Sequence, residues 1–179
     1  MTMLKRCLIV VDYQRDFVDG SLGFPKALEL EKPIADKIRE YRSRGDVILF
    51  TFDTHGPDYL HTQEGTHLPV EHCLKGTPGH ELYGEVAALY QTGDPCFYKP
   101  AFGSSQLFDF LREKAFHSIE LAGVVSNICV LSNAVLAKTA LPEVPVIVDA
   151  GCTASNDPVL HKAALDVMEG LQIQITGRE

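Results

Sequence analysis

The chain has 179 residues, 45% of them hydrophobic and 8% aromatic, enough for one sizeable core and short for two, so a single domain over residues 1–179 is expected. Sixteen Lys and Arg against 24 Asp and Glu leave a formal charge of -8, which opposes attachment to phosphate backbones or anionic lipid. Neither nucleic acid nor a membrane is therefore an expected partner, and no apolar run approaches the ~20 residues of a membrane span.

The N-terminal "MTMLKRCLIVVDYQRDF" passes from a basic pair straight into a short apolar run with charges behind it, a pattern unlike a secretion signal. The first strand is "CLIVVD", a continuous β-branched run. Leu30, Ile34, Ile38 and Tyr41 then recur at helical spacing and stop at Gly45. "VILFTFD" is a second strand, and a long polar segment leads to "HELYGEVAALY", which reads as a helix. "CFYK" is a short third strand, followed by the helix "SQLFDFLREKA" with Ser104 or Ser105 as its cap. "SIELAGV" is a fourth strand, "NICVLSNAVLAKTAL" its helix, "VPVIVDA" a fifth strand, "DPVLHKAALDVMEG" a helix and "LQIQIT" a sixth strand. Alternation of helices with strands that are apolar on both faces predicts a mostly parallel, six-stranded sheet in a three-layer α/β/α fold. The cysteines, Cys7, Cys73, Cys96, Cys129 and Cys152, are five in number and widely spaced without a CxxC pair. That usage implies free thiols in a reducing cytoplasm.

Open sheets of this kind bind ligands at the carboxyl ends of their strands. Four strand ends in succession carry chemistry there: Asp12, Asp53 with His55 just beyond, Lys99, and Cys129. Taken singly each has a plain structural reading, the acids as caps, Lys99 as a solvated charge, and Cys129 as a small core residue. Taken together, an acid, a base and a thiol at adjoining strand ends can meet in one crevice. The start of a helix, where "GVVSNIC" puts Cys129, favours a thiolate and supplies amides for an oxyanion.

The segments "IVVDYQRDF", "TFDTHGPDYLHTQEGTHLPVEHCLKGTPG", "YKPAFGSS" and "GVVSNICV", in that order, resemble the isochorismatase-like cysteine hydrolases, a family that includes nicotinamidases. The resemblance spans nearly the whole chain. It implies a six-stranded parallel sheet flanked by helices and a catalytic triad of Asp12, Lys99 and Cys129. Asp12 would take the thiol proton and later hand it to the departing amine, while Lys99 orients Asp12. It also implies a cis peptide between Val124 and Val125, which turns the Val125 amide to join that of Cys129 in an oxyanion hole. Asp16 reads as a structural carboxylate, and Phe17 as a pocket wall or a plain core residue.

A second cluster, "FDTHGPDYLHTQEGTHLPVEHC", holds Asp53, His55, His61, His67 and His72. Imidazole and carboxylate donors suit Zn, Mn or Fe; histidines scattered over a solvated loop are the plain alternative. By the resemblance, Asp53, His55 and His72 match the nicotinamidase metal ligands and His61 a fourth ligand of some members, whereas His67 has no counterpart. The expected cofactor is a divalent metal, zinc first. The implied activity is hydrolysis of the C–N bond of a small-molecule amide, nicotinamide to nicotinate and ammonia, through a Cys129 thioester, in a homo-oligomer.

One feature departs from the pattern. Many nicotinamidases place a tryptophan just before the third metal ligand, and this chain has no Trp; Leu68 and Val70 stand in "LPVEH" instead, with Leu68 expected at the substrate pocket. Another small amide or ureido compound therefore stays open as substrate. So do a metal-free isochorismatase-type hydrolase, for which Lys99 and Lys75 are the main basic groups in this region, and a noncatalytic binding module.

Overall fold

In the computed structural model, which describes residues 4–178, six strands form one sheet in the order β3-β2-β1-β4-β5-β6, all parallel. They are β1 (Cys7–Val11), β2 (Val47–Asp53), β3 (Cys96–Lys99), β4 (Ile119–Val124), β5 (Val146–Ala154) and β6 (Gln174–Thr176). The helices are α1 (Arg15–Val18), α2 (Pro25–Glu29), α3 (Glu31–Ser43), α4 (Gln63–His67), α5 (Gly84–Leu89), α6 (Ser105–Arg112), α7 (Leu131–Ala140) and α8 (Pro158–Gly170). Alternate residues of β1 serve opposite cores, as the pleat requires. Leu8 and Val10 pack with Ile34, Ile38 and Tyr41 of α3 and Val86 of α5. Cys7, Ile9 and Val11 pack with Leu107 of α6, Ala134 of α7 and Met168 of α8. Helices therefore cover both sheet faces, and all five cysteines are free thiols.

Element boundaries differ from the sequence reading where pairing or turn chemistry overrides periodicity. The expected helix from residue 80 begins only at Gly84, because Leu82 bridges Gln14 and the Tyr83 amide donates to the Tyr13 carbonyl. The long polar segment is not featureless: it holds a 3-10 turn at Tyr59–His61, then α4, whose cap Thr62 accepts from the Gly65 amide. The helix after β4 opens as a π turn, Ser126–Val130, before α7. β5 runs on through Gly151 to Ala154, past the Asp149 at which the apolar run stops, with a register shift opposite Leu121 and Gly123. β6 is shorter than its apolar pattern, since Gln172 has a φ of 63° and belongs to the turn that precedes it.

The switch in strand order falls between β1 and β4, whose first neighbours in sequence lie on opposite sides. Close approach there demands a glycine: Gly123 has a φ of 120°, and a Cβ on it would come within 2.0 Å of the Val11 carbonyl oxygen. At the other end of the sheet, Glu120 of β4 is buried and needs partners. Lys37 of α3 supplies one at 2.6 Å and reaches Asp149 of β5 at 2.9 Å, while the Tyr41 hydroxyl donates to Glu120 at 2.5 Å. This ionic cluster ties α3 to two central strands.

Removing Lys37 leaves two carboxylates facing one another in a largely desolvated place, so Lys37→Ala should lower the unfolding free energy by about 2–3 kcal/mol, read from urea denaturation. Burial tends to raise the Asp149 carboxyl, but the hydrogen bond and charge of Lys37 prevail and hold it below its ordinary value. A carboxyl depressed in the folded state adds stability that is present above the unfolded value of about 3.9 and is lost as pH falls through the folded one. Asp149→Asn should therefore flatten the acid limb of the stability curve below about pH 4.

Candidate active site

β1 ends at Val11, and the next residue, Asp12, turns sharply with a φ of 46°, a conformation that Asp tolerates better than most residues. Its side chain is fully buried. Thr51 of the adjoining strand fixes it twice, accepting from the Asp12 amide at 3.2 Å and donating to Asp12 Oδ1 at 2.6 Å. On the other carboxylate oxygen, Lys99 Nζ sits at 2.5 Å. Lys99 closes β3, paired in register with Asp53 at the end of β2, and its Nζ lies 3.6 Å from Asp53 Oδ1. The same ammonium donates to the Ala101 carbonyl at 3.1 Å and lies 3.5 Å from Cys129 Sγ. Two strand-end carboxylates and one thiol thus converge on a single buried cation.

Cys129 lies in the π turn after β4, three residues past Ser126, and the Val124–Val125 peptide bond is cis. Asn133 fastens this turn from inside, donating to the carbonyls of Cys129 at 2.8 Å and Phe102 at 3.1 Å. The electrostatics correct the expectation of a resting thiolate. Burial first, and then the Asp12 carboxylate, push the Cys129 thiol well above its ordinary value, and Lys99 only partly offsets them. Burial also raises the Asp12 carboxyl against the pull of Lys99. Lys99 itself is held charged: burial disfavours the ammonium, but the carboxylates of Asp12 and Asp53 outweigh it. Such a set carries the thiol proton at rest, with an acceptor carboxylate in place to receive it.

The second cluster assembles from the end of β2 and the loop behind it. One ligand atom each from Asp53, His55, Glu64 and His72 lies within 4.8 Å of the others. His55 Nε2 is 2.9 Å and His72 Nε2 3.3 Å from Asp53 Oδ2, and both face Glu64 Oε1, at 3.7 and 3.6 Å. The Val70 carbonyl, 2.8 Å from His72 Nδ1, holds the proton on that nitrogen and leaves Nε2 as a donor lone pair. Two carboxylates in so small a space repel: burial, then Asp53, raises the Glu64 carboxyl. Asp53 stays below the carboxylate range because the imidazoles of His55 and His72, with Lys99, outweigh its burial. Two imidazoles and two mutually repelling carboxylates are a donor set that a divalent cation satisfies.

His61 does not join this group. It is exposed on the 3-10 turn, and His67, also exposed, lies 2.8 Å from the Gln63 carbonyl through its Nδ1. Glu64 occupies the fourth position, which a reading that counted histidines overlooked. No pattern in the sequence singles it out, because which way the turn capped by Thr62 faces is set by packing. Other supporting residues were also missed. Gln14 grips Asp53 by donating to its carbonyl at 2.9 Å and accepting from its amide at 2.8 Å. Asp16, as read, is structural: it accepts from the Cys73 amide at 2.8 Å, next to His72, and Gly79 is needed because a Cβ there would meet the carboxylate at 2.1 Å.

Both clusters open on one cavity of about 240 Å³, lined by Cys129, Val125, Asp53, Glu64 and His72 among polar and backbone groups and by Phe17, Leu22, Phe24, Leu68, Phe102 and Ile128 on its apolar walls. Phe17 packs against the His72 ring, centroids 5.5 Å apart. Leu68 stands half-exposed at the mouth, and neither a Lys nor an Arg lines the wall.

The sequence matches the isochorismatase domain family over residues 6–179. It is 37% identical over 145 residues, 74% of this chain and 78% of the relative, to a Bacillus subtilis (strain 168) protein named as an uncharacterized isochorismatase family protein, PncA. It is 26% identical over 188 residues to the nicotinamidase/pyrazinamidase of Mycobacterium tuberculosis, covering 95% of this chain and 97% of that one. The crystal structure of the nicotinamidase/pyrazinamidase PncA from Bacillus subtilis superposes with a TM-score of 0.86 at 28% identity, over 97% of this chain and 100% of the other. With the whole sheet and both strand-end clusters inside the matched span, this chain belongs to the isochorismatase family, and its similarity within that family runs to nicotinamidases.

Proposed function

We propose that the chain is an amidohydrolase that cleaves a small, uncharged heteroaromatic carboxamide, nicotinamide first among them, to the carboxylate and ammonia. The observation that carries this reading is that Cys129 and three of the four metal-type donors, Asp53, Glu64 and His72, line the same small cavity. A nucleophile and an anchor then act on one molecule from two sides. The wall residues suit a flat apolar ring, and the absence of Lys and Arg from the wall disfavours substrates that carry carboxylates of their own, as an isochorismatase-type substrate does.

In this reading Cys129 attacks the amide carbon as its proton passes to Asp12, and the Val125 and Cys129 amides receive the oxyanion. Lys99 stays an ammonium throughout and holds Asp12 in line. Collapse of the adduct breaks the C–N bond, and Asp12 returns its proton to the leaving nitrogen, which departs as ammonia. Water then adds to the thioester with Asp12 again taking a proton, and loss of the Cys129 sulfur, reprotonated, frees the acid. Asp53, His55, Glu64 and His72 would hold a divalent cation, with zinc suited to the donor set. Bound there, it supplies a Lewis-acid anchor for a ring nitrogen.

Cys129→Ala should cut kcat/KM on nicotinamide by about 10⁴-fold or more with the fold intact, and an acyl adduct should appear by intact mass on wild-type protein alone. Activity retained in that variant would place the chemistry elsewhere.

Chelation should raise KM for a pyridine carboxamide by about tenfold or more while changing alkylation of Cys129 much less, because the thiol answers to Asp12 and Lys99. By elemental analysis Glu64→Ala should lose metal and His61→Ala should keep it. A native protein that contains no divalent metal and is fully active on the amide would sink the anchored mechanism.

A further inference from the structure

A second cavity, larger than the first at about 520 Å³, lies between α2, β5, α8 and the residues after β6. Its lining is richer in bases than in acids. In a chain of net charge -8, four basic side chains line it among the described residues, Lys26, His161, Lys162 and Arg178, with Glu29 the acid described there. Leu30 and Leu165 form an apolar floor. Each formal cation already has an acidic neighbour: Lys26 pairs with Glu29 at 2.6 Å, Lys162 with Asp166 at 2.6 Å, and Arg178 with Asp166 at 2.9 Å and Glu169 at 3.8 Å. These are exposed side-chain pairs, whose contribution is small and which reorganise readily around a stronger ligand.

The half-buried member, His161, joins the cavity to the nucleophile. Its Nδ1 lies 2.8 Å from the hydroxyl of Ser126, which is wholly buried at the start of the turn that carries Cys129. Burial, followed by the charges of Arg178 and Lys26, disfavours the imidazolium of His161. An anion seated among those cations acts on the ring in the opposite sense.

We propose that this cavity binds a small phosphate-bearing organic molecule and that its occupancy is felt at Cys129 through His161 and Ser126. A phosphate monoester fits better than a monocarboxylate because several cations surround the cavity, and a dianion with three acceptor oxygens engages more than one of them. The apolar floor gives the organic body a surface on which to rest. Such an effector would act on the active site without entering it, since none of the residues lining the second cavity lines the first.

Calorimetric titration of the full-length protein with ribose 5-phosphate, inorganic phosphate and uncharged ribose tests the site. Saturable binding of ribose 5-phosphate is expected, with none of ribose. Charge reversal by Lys162→Glu with Arg178→Glu, neither in the proposed catalytic machinery, should weaken it by about tenfold or more. Ribose 5-phosphate should also change the rate at which iodoacetamide modifies Cys129 in the wild type, and His161→Leu, checked for an unaltered melting temperature, should abolish that change. Failure to saturate at millimolar concentration, or equal binding by the charge-reversed variant, would overturn the site. Equally tight binding of inorganic phosphate would overturn the organic ligand, and an unchanged alkylation rate at saturation would overturn the coupling. None of these measurements depends on which amide the active site cleaves.

Discussion

The Lys99 ammonium, 1% exposed at the end of β3, is the interaction on which the site depends. A charge withdrawn from water must be compensated where it lies, and its compensation is Asp12 at 2.5 Å, Asp53 at 3.6 Å and the sulfur of Cys129 at 3.5 Å. Each partner belongs to a different strand end. The cation therefore couples the position of the nucleophile to that of the acid and to one carboxylate of the metal-type cluster. It also explains why so much negative potential survives burial: Asp12 and Asp53 are both deeply buried.

This convergence is a property of the sheet. β3, β2, β1 and β4 lie side by side and parallel, so their carboxyl ends emerge along one edge, where the strand order switches. Register then does the fine placement, pairing Asp53 with Lys99 and Val11 with both Thr51 and Gly123. Thr51 consequently reaches Asp12 with its hydroxyl, and Gly123 lets β4 approach without a Cβ in the way. Around these strands the loop from residue 54 to 80 is held by polar contacts: Gln14 binds the carbonyls of Asp53 and His80, and Asp16 takes the Cys73 amide. Two side chains from the segment after β1 thus set where His72 stands.

The active-site cavity and the cavity beside α8 differ in lining. The first is apolar and acidic, suited to an uncharged ring and a cation; the second, across the turn of Cys129, is ringed with bases. The turn between them is a π turn tied to α7 by Asn133 and to α8 by His161. A nucleophile mounted in this way is steadied from both helices, and a shift of either helix bears on it directly.

How far the chain announces this arrangement depends on the kind of information involved. Strand identity was legible because strands buried on both faces must be apolar along their length, and the acid, base and thiol at four strand ends were visible for the same reason: polar residues stop such runs. Three properties were not legible. The protonation of Cys129 is decided by burial and by Asp12, residues apart by more than one hundred positions in sequence, so local reading of a helix start pointed to a thiolate where burial keeps a thiol. The choice of Glu64 over His61 depends on which way a capped turn faces, and counting donors of one type cannot supply that. The link from His161 to Ser126 spans 35 residues and exists only because α8 packs against the π turn. Composition and periodicity specify what each segment buries; which buried groups then meet is set by packing, because desolvation and charge act across space and not along the chain.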